Sequence, residues 1–560
     1  MTKATPPVML REQNSPKAIN LVKRILGEVP FATELYWLAR HRDKTINSRF
    51  SLEQLKNWIP TLLAEASTLR TSANAGKNVF LFGSSHRWIT HTAVVGFALY
   101  AQGHDVSLGY LPYHDWRFEF NPFDIKRQNI YAREVLKNTE PALKPVSFLG
   151  LHAGYKTLPE ELQKQIEQVA RFDAMYTEQN EEVDIASPIY RLRLKRNMEA
   201  ARAAYSYFKS NRPDVVIVPN GSIQEYAVVY RVARFLGIQA VTYEFGDQRE
   251  RIWLAQNGEV MRQETDALWK AFSEVPLAEA ELKSVQDLFE ARRSASTWKN
   301  FSRLWQNMPA EGIEKARQAL SLDKRPVVLL ATNVLGDSLT LGREVFSHSM
   351  EEWLERTLQY FAGKNDVQLV IRVHPGEILT HGQSMVDVTQ HVLPNLPENI
   401  HLIRPDEKIN TYDLIAAADA GLVYTTTVGL EMALCGVPVV VAGSTHYRGR
   451  GFTHDPNSWV RYYKTLGSIL ANPRDNRLSK EQVDLAWAYA YRFFFDFPRP
   501  FPWHLIHFWK EMEEKSLVNV LSPEGIEKFG DTFKFLVGEP LDWAAIREKK
   551  YGKAYTISPG

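Results

Sequence analysis

The chain is poor in cysteine: Cys435 is the single one in 560 residues. That excludes an intramolecular disulfide and a cysteine-ligated zinc cluster, and it fits a reducing compartment. An excess of one charge is also missing. Lys+Arg is 67 against Asp+Glu 65, a formal net charge of +2, so no electrostatic bias points to nucleic acid as a partner. No apolar run approaches membrane-spanning length, and Met1–Pro7 carries no apolar segment of the kind a signal peptide needs. A cytoplasmic protein is expected, with a peripheral station at the inner face of a membrane left open. No Asp-any-Asp triplet occurs, so an acidic clamp holding a diphosphate through a metal has no support, and no metal site is expected. Low-complexity tracts and short repeats are absent too.

What is present is an alternation of short apolar runs with helical segments. A chain of this length exceeds one hydrophobic core. Residues 1–70 read as a helical extension, with apolar residues at helical spacing through Ile19–Leu26 and Phe50–Leu69. Its basic and aromatic residues suit a membrane surface or a solvated face, and the solvated face is the simpler expectation. From Asn78 the pattern is strand, loop, helix, Gly, strand: Val79–Gly83, a helix from Trp88, then Asp105–Leu111. Val146–Gly150, Pro213–Pro219 and Gln239–Tyr243 continue it, so residues 71–275 form a first α/β domain with a parallel sheet. Residues 276–320 read as a helical linker. A second α/β domain, 321–480, carries strands at Pro326–Ala331, Val367–Val373, His401–Ile403, Leu422–Tyr424 and Val439–Val441. Residues 481–560 are helical and aromatic, and packing accounts for that aromatic density better than sugar stacking does.

The chemistry gathers around Thr425-Thr426-Thr427-Val428-Gly429-Leu430-Glu431. Hydroxyls follow a buried strand and open a helix, where unpaired N–H groups favour a phosphate. Glu431, about a turn in, is placed for ribose hydroxyls. Simple capping of the helix by the threonines is the competing account. Asn333 and His374 also follow strands directly, so in a parallel sheet they share the carboxyl edge with Thr425, the edge where open α/β folds bind ligands. The loop Ser444–Thr453 sets Arg448 and Arg450 among glycines, which suits an anion. In the first domain Glu244 and Asp247 sit just past a strand and are the candidate general bases, unless Arg249 or Arg251 pairs with them. His86 is a third candidate. Ser84, Ser85 and Asn220 are the candidate acceptor contacts.

Arg372-Val373-His374-Pro375, the Thr-Thr-Thr-Val-Gly-Leu-Glu run, Gly436-Val437-Pro438 and His446–Thr453 resemble bacterial capsule polysaccharide biosynthesis proteins, glycosyltransferases of the GT-B fold. Ala331-Thr332-Asn333 and Tyr491–Phe495 are similar as well, and the likeness is specific over about 325–500. It implies two facing Rossmann-like domains, with the last helices crossing back to the first. It also implies a nucleotide-sugar donor held mainly by the second domain and a glycan or lipid-linked glycan acceptor held mainly by the first. By that likeness His374 and Thr425 to Thr427 contact donor phosphates, Glu431 contacts the nucleotide, and Arg372 belongs to the same donor motif. The resulting expectation is a metal-independent glycosyltransferase with no cofactor beyond its donor substrate. A polyol-phosphate transferase of the teichoic-acid type, a nucleotide-sugar 2-epimerase and a non-catalytic capsule assembly subunit stay open as alternatives.

Overall fold

In the computed structural model, residues 17–40, 49–70, 76–151, 157–301, 303–304, 306–473 and 475–552 are described. Residues Met1–Pro7, on which the absence of a signal segment is read, lie outside them.

The strands, numbered in chain order, are β1 (Asn78–Ser84), β2 (Asp105–Leu111), β3 (Leu143–Ser147), β4 (Val215–Pro219), β5 (Gln239–Phe245) and β6 (Arg251–Gln256) in the first half. The second half contributes β7 (Val327–Ala331), β8 (Gln368–Arg372), β9 (Ile400–Ile403), β10 (Ala420–Val423), β11 (Val439–Val441) and β12 (Arg499–Pro500). They form a seven-stranded sheet in the order β12-β6-β5-β4-β1-β2-β3 and a five-stranded sheet in the order β11-β10-β7-β8-β9. Every pairing is parallel except those of β6 with β5 and of β12 with β6. Helices cover both faces, which is why β4, β7, β8 and β10 are buried at every position and read as unbroken apolar runs.

The two sheets are wound alike. In the first, β1 is flanked by β2 and β4; in the second, β7 is flanked by β8 and β10. Each therefore has a point where successive crossovers leave in opposite directions, opening a crevice at the carboxyl ends of its central strands. In the second sheet the register aligns these ends, with Ala331 opposite both Arg372 and Val423.

Two strands escape the sequence reading. β6 turns back antiparallel beside β5, and its outward residues are only half-buried, so its apolar run is interrupted. β12 is two residues long. It lies in the segment that returns from the second unit to the first: Phe501, Trp503, Phe508 and Phe533 enter the same core as Leu81, Ile217 and Tyr243. β3 falls three residues before its predicted start. Cys435 is exposed at the end of its helix.

The halves also meet away from these returning segments. Gly336, in the left-handed region at φ 69°, packs so closely on the Met175 carbonyl that a Cβ would sit 2.2 Å from its oxygen. Gln179 Oε1 accepts from the His381 backbone N–H at 2.8 Å. No described helix is long and apolar enough to cross a membrane.

Candidate functional site

Each crevice contains a cavity. The one in the second sheet, of about 170 Å³, is lined by Asn333, His374, Thr425, Thr426, Thr427 and Ser444, with Asp247 and Gln263 closing it from the first half. The aligned strand ends put these side chains together: β7 leads to Asn333, β8 to His374 and β10 to Thr425. The Thr425 backbone N–H donates to Asn333 Oδ1 at 3.2 Å, which ties two loops across the switch point.

His374 is fixed by its neighbours. Its N–H donates to Thr332 Oγ1 at 3.1 Å, and its Nδ1 accepts from the Gly376 N–H at 3.0 Å. The neutral ring therefore carries its proton on Nε2, as a donor. Burial pushes its pKa below the usual imidazole value, with Asp337 opposing and Arg303 and Arg372 adding to the effect. It is neutral at pH 7. Thr425 Oγ1 is buried without a hydrogen-bond partner, as is Nε2 of His446 on the same wall. Thr426 is a cap in part: its Oγ1 accepts from Val428 N–H at 3.4 Å, and its carbonyl accepts from Tyr447 OH at 2.6 Å. The helix it opens, Val428–Leu434, is seven residues long.

The other donor-side candidates stand apart from this cavity. Glu431 is buried and accepts from Arg292 Nη1 at 3.1 Å, so an internal cation engages its carboxylate. Arg372 donates to the Arg404 carbonyl at 2.9 Å. Arg448 is turned inward onto the carbonyls of Val441, at 2.7 Å, and Pro456. Arg450 is held by Asp266 and Thr265. Arg448 is thus taken up by backbone oxygens close to it in the chain, and Arg450 by side chains of the first half. The cations that do line the cavity are Arg303 and Arg343, which no local spacing marks in the sequence. Arg343 donates to the Arg262 carbonyl at 3.0 Å and is pulled down to about 10 by burial, so it keeps its charge at pH 7.

The first-sheet cavity is larger, about 500 Å³, and is lined by Ser84, Ser85, His86, Asn220 and Glu244 together with Tyr113–Arg117 and Tyr176. Asn220 takes a left-handed backbone, φ 59°, at the end of β4, and its Nδ2 donates to Glu244 Oε2 at 3.2 Å. The other Glu244 oxygen accepts from the Phe245 N–H at 3.0 Å. Burial raises the Glu244 pKa, against those two hydrogen bonds. The His86 pKa is lowered by burial, by Arg87 and by His114, and its Nδ1 has no partner. Arg117 pairs with Asp115 through Nη2–Oδ2 at 2.8 Å on the same wall.

Asp247 belongs to the other cavity. Neither Arg249 nor Arg251 pairs with it: Arg292 and Arg303 lie 3.9 and 3.8 Å from its carboxylate. Burial still raises its pKa against both cations. The end of β5 thus gives Glu244 to one cavity, and the short loop after it gives Asp247 to the other. A π-helical turn, Arg492–Asp496, adds Phe493 and Phe494 to the second-sheet cavity. Among the described residues no cluster of His, Cys, Asp and Glu is arranged to hold a metal ion.

Residues 284–481 match the family model for capsule polysaccharide biosynthesis proteins. The matched segment contains Asn333, His374, the three threonines and both cavity arginines, and it leaves out Glu244 and Asp247. No curated protein matches the sequence. Among solved structures, a β-Kdo 2,4 transferase, KpsC of Thermosulfurimonas dismutans, is similar at 16% identity over 49% of this chain and 78% of that one, with a TM-score of 0.33. The calicheamicin glycosyltransferase CalG4 is similar at 15% identity over 80% of this chain and 100% of that one, with a TM-score of 0.26. A UDP-GlcNAc 2-epimerase of Neisseria meningitidis is similar at 12% identity over 75% and 98%, with a TM-score of 0.25.

Proposed function

We propose that the chain is a glycosyltransferase of capsule polysaccharide synthesis, moving a sugar from a nucleotide-activated donor in the second-sheet cavity to a glycan acceptor in the first-sheet cavity. What carries the reading is the end of β5 with the loop that follows it, a stretch that walls both cavities with carboxylates three residues apart. The bond to be made would form where that loop divides them.

In this reading the second-sheet cavity takes the donor diphosphate, the part that a volume of about 170 Å³ suits. His374 Nε2–H and the Thr425 hydroxyl donate to phosphate oxygens, and Arg303 and Arg343 supply the positive charge that offsets the leaving group. Donors fixed beforehand need no reorganisation as charge develops, which is where such sites gain most. Glu244 is the general base. Its raised pKa brings its proton affinity closer to that of an acceptor hydroxyl, and Asn220 holds the carboxylate in place. Asp247, tied to Arg292 and Arg303, positions the arginine and is not the base. Ser84, Ser85 and His86 face the acceptor.

A thermal-shift screen against nucleotide sugars and CDP-alditols tests the donor, because stabilisation follows ligand concentration over dissociation constant. His374→Ala should abolish the shift with the fold intact. Product analysis then separates the chemistries. A new glycosidic bond supports this reading, a phosphodiester indicates alditol-phosphate transfer, and turnover of the sugar nucleotide without acceptor indicates epimerisation.

A further inference from the structure

Helices Lys17–Glu28 and Ala32–Arg40 form a hairpin on the flank of the first unit, and they dock the wrong way round for amphipathic helices. An amphipathic helix normally buries its apolar stripe. Here the docked side of the first helix is polar and small. Lys23 Nζ donates to Asp124 Oδ2 at 2.9 Å, Lys126 donates to the Gly27 carbonyl, and Gly27 lies so near Phe123 that a Cβ would meet its backbone nitrogen at 2.6 Å. On the second helix Thr33 and Trp37 face inward, and Trp37 Nε1 donates to Glu134 at 2.7 Å. The stripe itself points out. Leu21, Val22, Ile25, Phe31, Leu35 and Leu38 are each more than half exposed, up to 75% at Phe31 on the hairpin tip.

A convex apolar ridge with a phenylalanine at its apex does not form a groove for a peptide. Its charge is biased to one sign: residues 17–40 and Arg49 hold five Lys and Arg against two Glu, a net +3 where the whole chain has only +2. Apolar side chains beside a cationic excess match the headgroup boundary of an anionic bilayer. The helix beneath the ridge also borders the first-sheet cavity. The helix against which Gly27 packs, Pro122–Lys137, holds cavity residue His114 through Gln128 at 3.2 Å, and Phe50 meets the His86 ring edge-on at 6.3 Å.

We propose that this hairpin is a membrane-docking face that seats in an anionic lipid surface and brings the first-sheet cavity to an acceptor carried on a lipid. The acceptor half of this statement rests on the transferase reading; the docking half does not.

The test is co-sedimentation of the full chain with vesicles of phosphatidylcholine, with and without about one third phosphatidylglycerol. Ile25→Ser, Phe31→Ser and Leu35→Ser are combined as one variant, all three side chains being exposed so that the fold is kept. The wild type should sediment with the anionic vesicles and less with pure phosphatidylcholine, and the variant should lose at least tenfold in partition while its thermal unfolding is unchanged. Absence of wild-type binding to anionic vesicles, or equal binding by the variant, overturns the proposal. So does a wild-type dimer that becomes a monomer in the variant without any vesicle binding, since the ridge would then be covered by a second copy. Donor-induced thermal shifts, measured without vesicles, report on the transferase reading alone. Loss of that shift with vesicle binding retained removes the lipid-linked acceptor and leaves the docking face.

Discussion

Asn333 accepts the backbone N–H of Thr425 at 3.2 Å, a link between the loops after β7 and β10 that spans the switch point of the second sheet. Through it one side chain fixes the direction of the threonine run, leaving the Thr425 hydroxyl without an internal partner. A buried hydroxyl in that state costs free energy unless a ligand or water satisfies it. Asn333→Ala should therefore weaken donor binding by about tenfold, roughly the worth of one neutral hydrogen bond plus lost orientation. Calorimetric titration of the donor identified by the thermal-shift screen checks it, and unchanged affinity would separate this link from ligand binding.

Glu244→Gln keeps the size of the side chain and an oxygen for Asn220 but cannot accept a proton. Transfer should fall by about a hundredfold or more in kcat with the donor dissociation constant unchanged. The base must be ionised to act. Because burial raises its pKa, wild-type activity should climb with pH through a midpoint above the ordinary carboxylate value, and the variant should lack that limb. A flat wild-type profile, or a variant with full kcat, would remove Glu244 from the reaction.

Arg292 joins the two halves through Glu431 at 3.1 Å and Asp247 at 3.9 Å, and it is almost wholly buried. Arg292→Met would leave Glu431 buried without its cation and Asp247 with Arg303 alone. A loss of about 3–5 kcal/mol in urea unfolding is expected, since breaking a buried pair from one side exposes the full desolvation cost of the other. Double replacement with Glu431→Gln should recover part of that loss.

Glu181 accepts the Glu351 backbone N–H at 3.0 Å across the two halves, and burial pushes its pKa up to about 7 from an unfolded value of 4.5. Between those values the folded chain binds more protons than the unfolded one, so stability falls as pH rises from 4.5 through 7. Glu181→Gln should match the wild type near pH 4.5 and unfold at a higher temperature at pH 8, by an amount on the order of 1 kcal/mol after allowance for solvent access. Melting curves at the two pH values show whether the difference opens in that direction.

The legible part of the site is the part that follows a rule of local order. Asn333, His374 and Thr425 each come directly after a buried apolar run, and parallel strands in register bring such positions to one edge. The loop arginines stand apart from the cavity for the opposite reason. Arg448 and Arg450 sit among glycines in the sequence, yet their guanidinium groups go to carbonyls and to Asp266, because a long flexible donor takes the acceptor that folding places nearest. Arg303 and Arg343 line the cavity instead, one from the linker and one from the loop after β7, with no motif around them. Glu431 looked available for ribose until Arg292, 139 positions earlier, occupied its carboxylate.

The sequence by itself determined two α/β halves, their parallel strands and the polar tips of those strands, because burial on both faces of a parallel sheet demands apolar runs that end in turn residues. Tertiary structure alone decided which cations meet the cavity, that Glu244 and Asp247 divide between two cavities, and that the N-terminal hairpin turns its apolar stripe outward. Those outcomes depend on partners far away in the chain, and periodicity says which face of a helix is apolar but not which face will be packed.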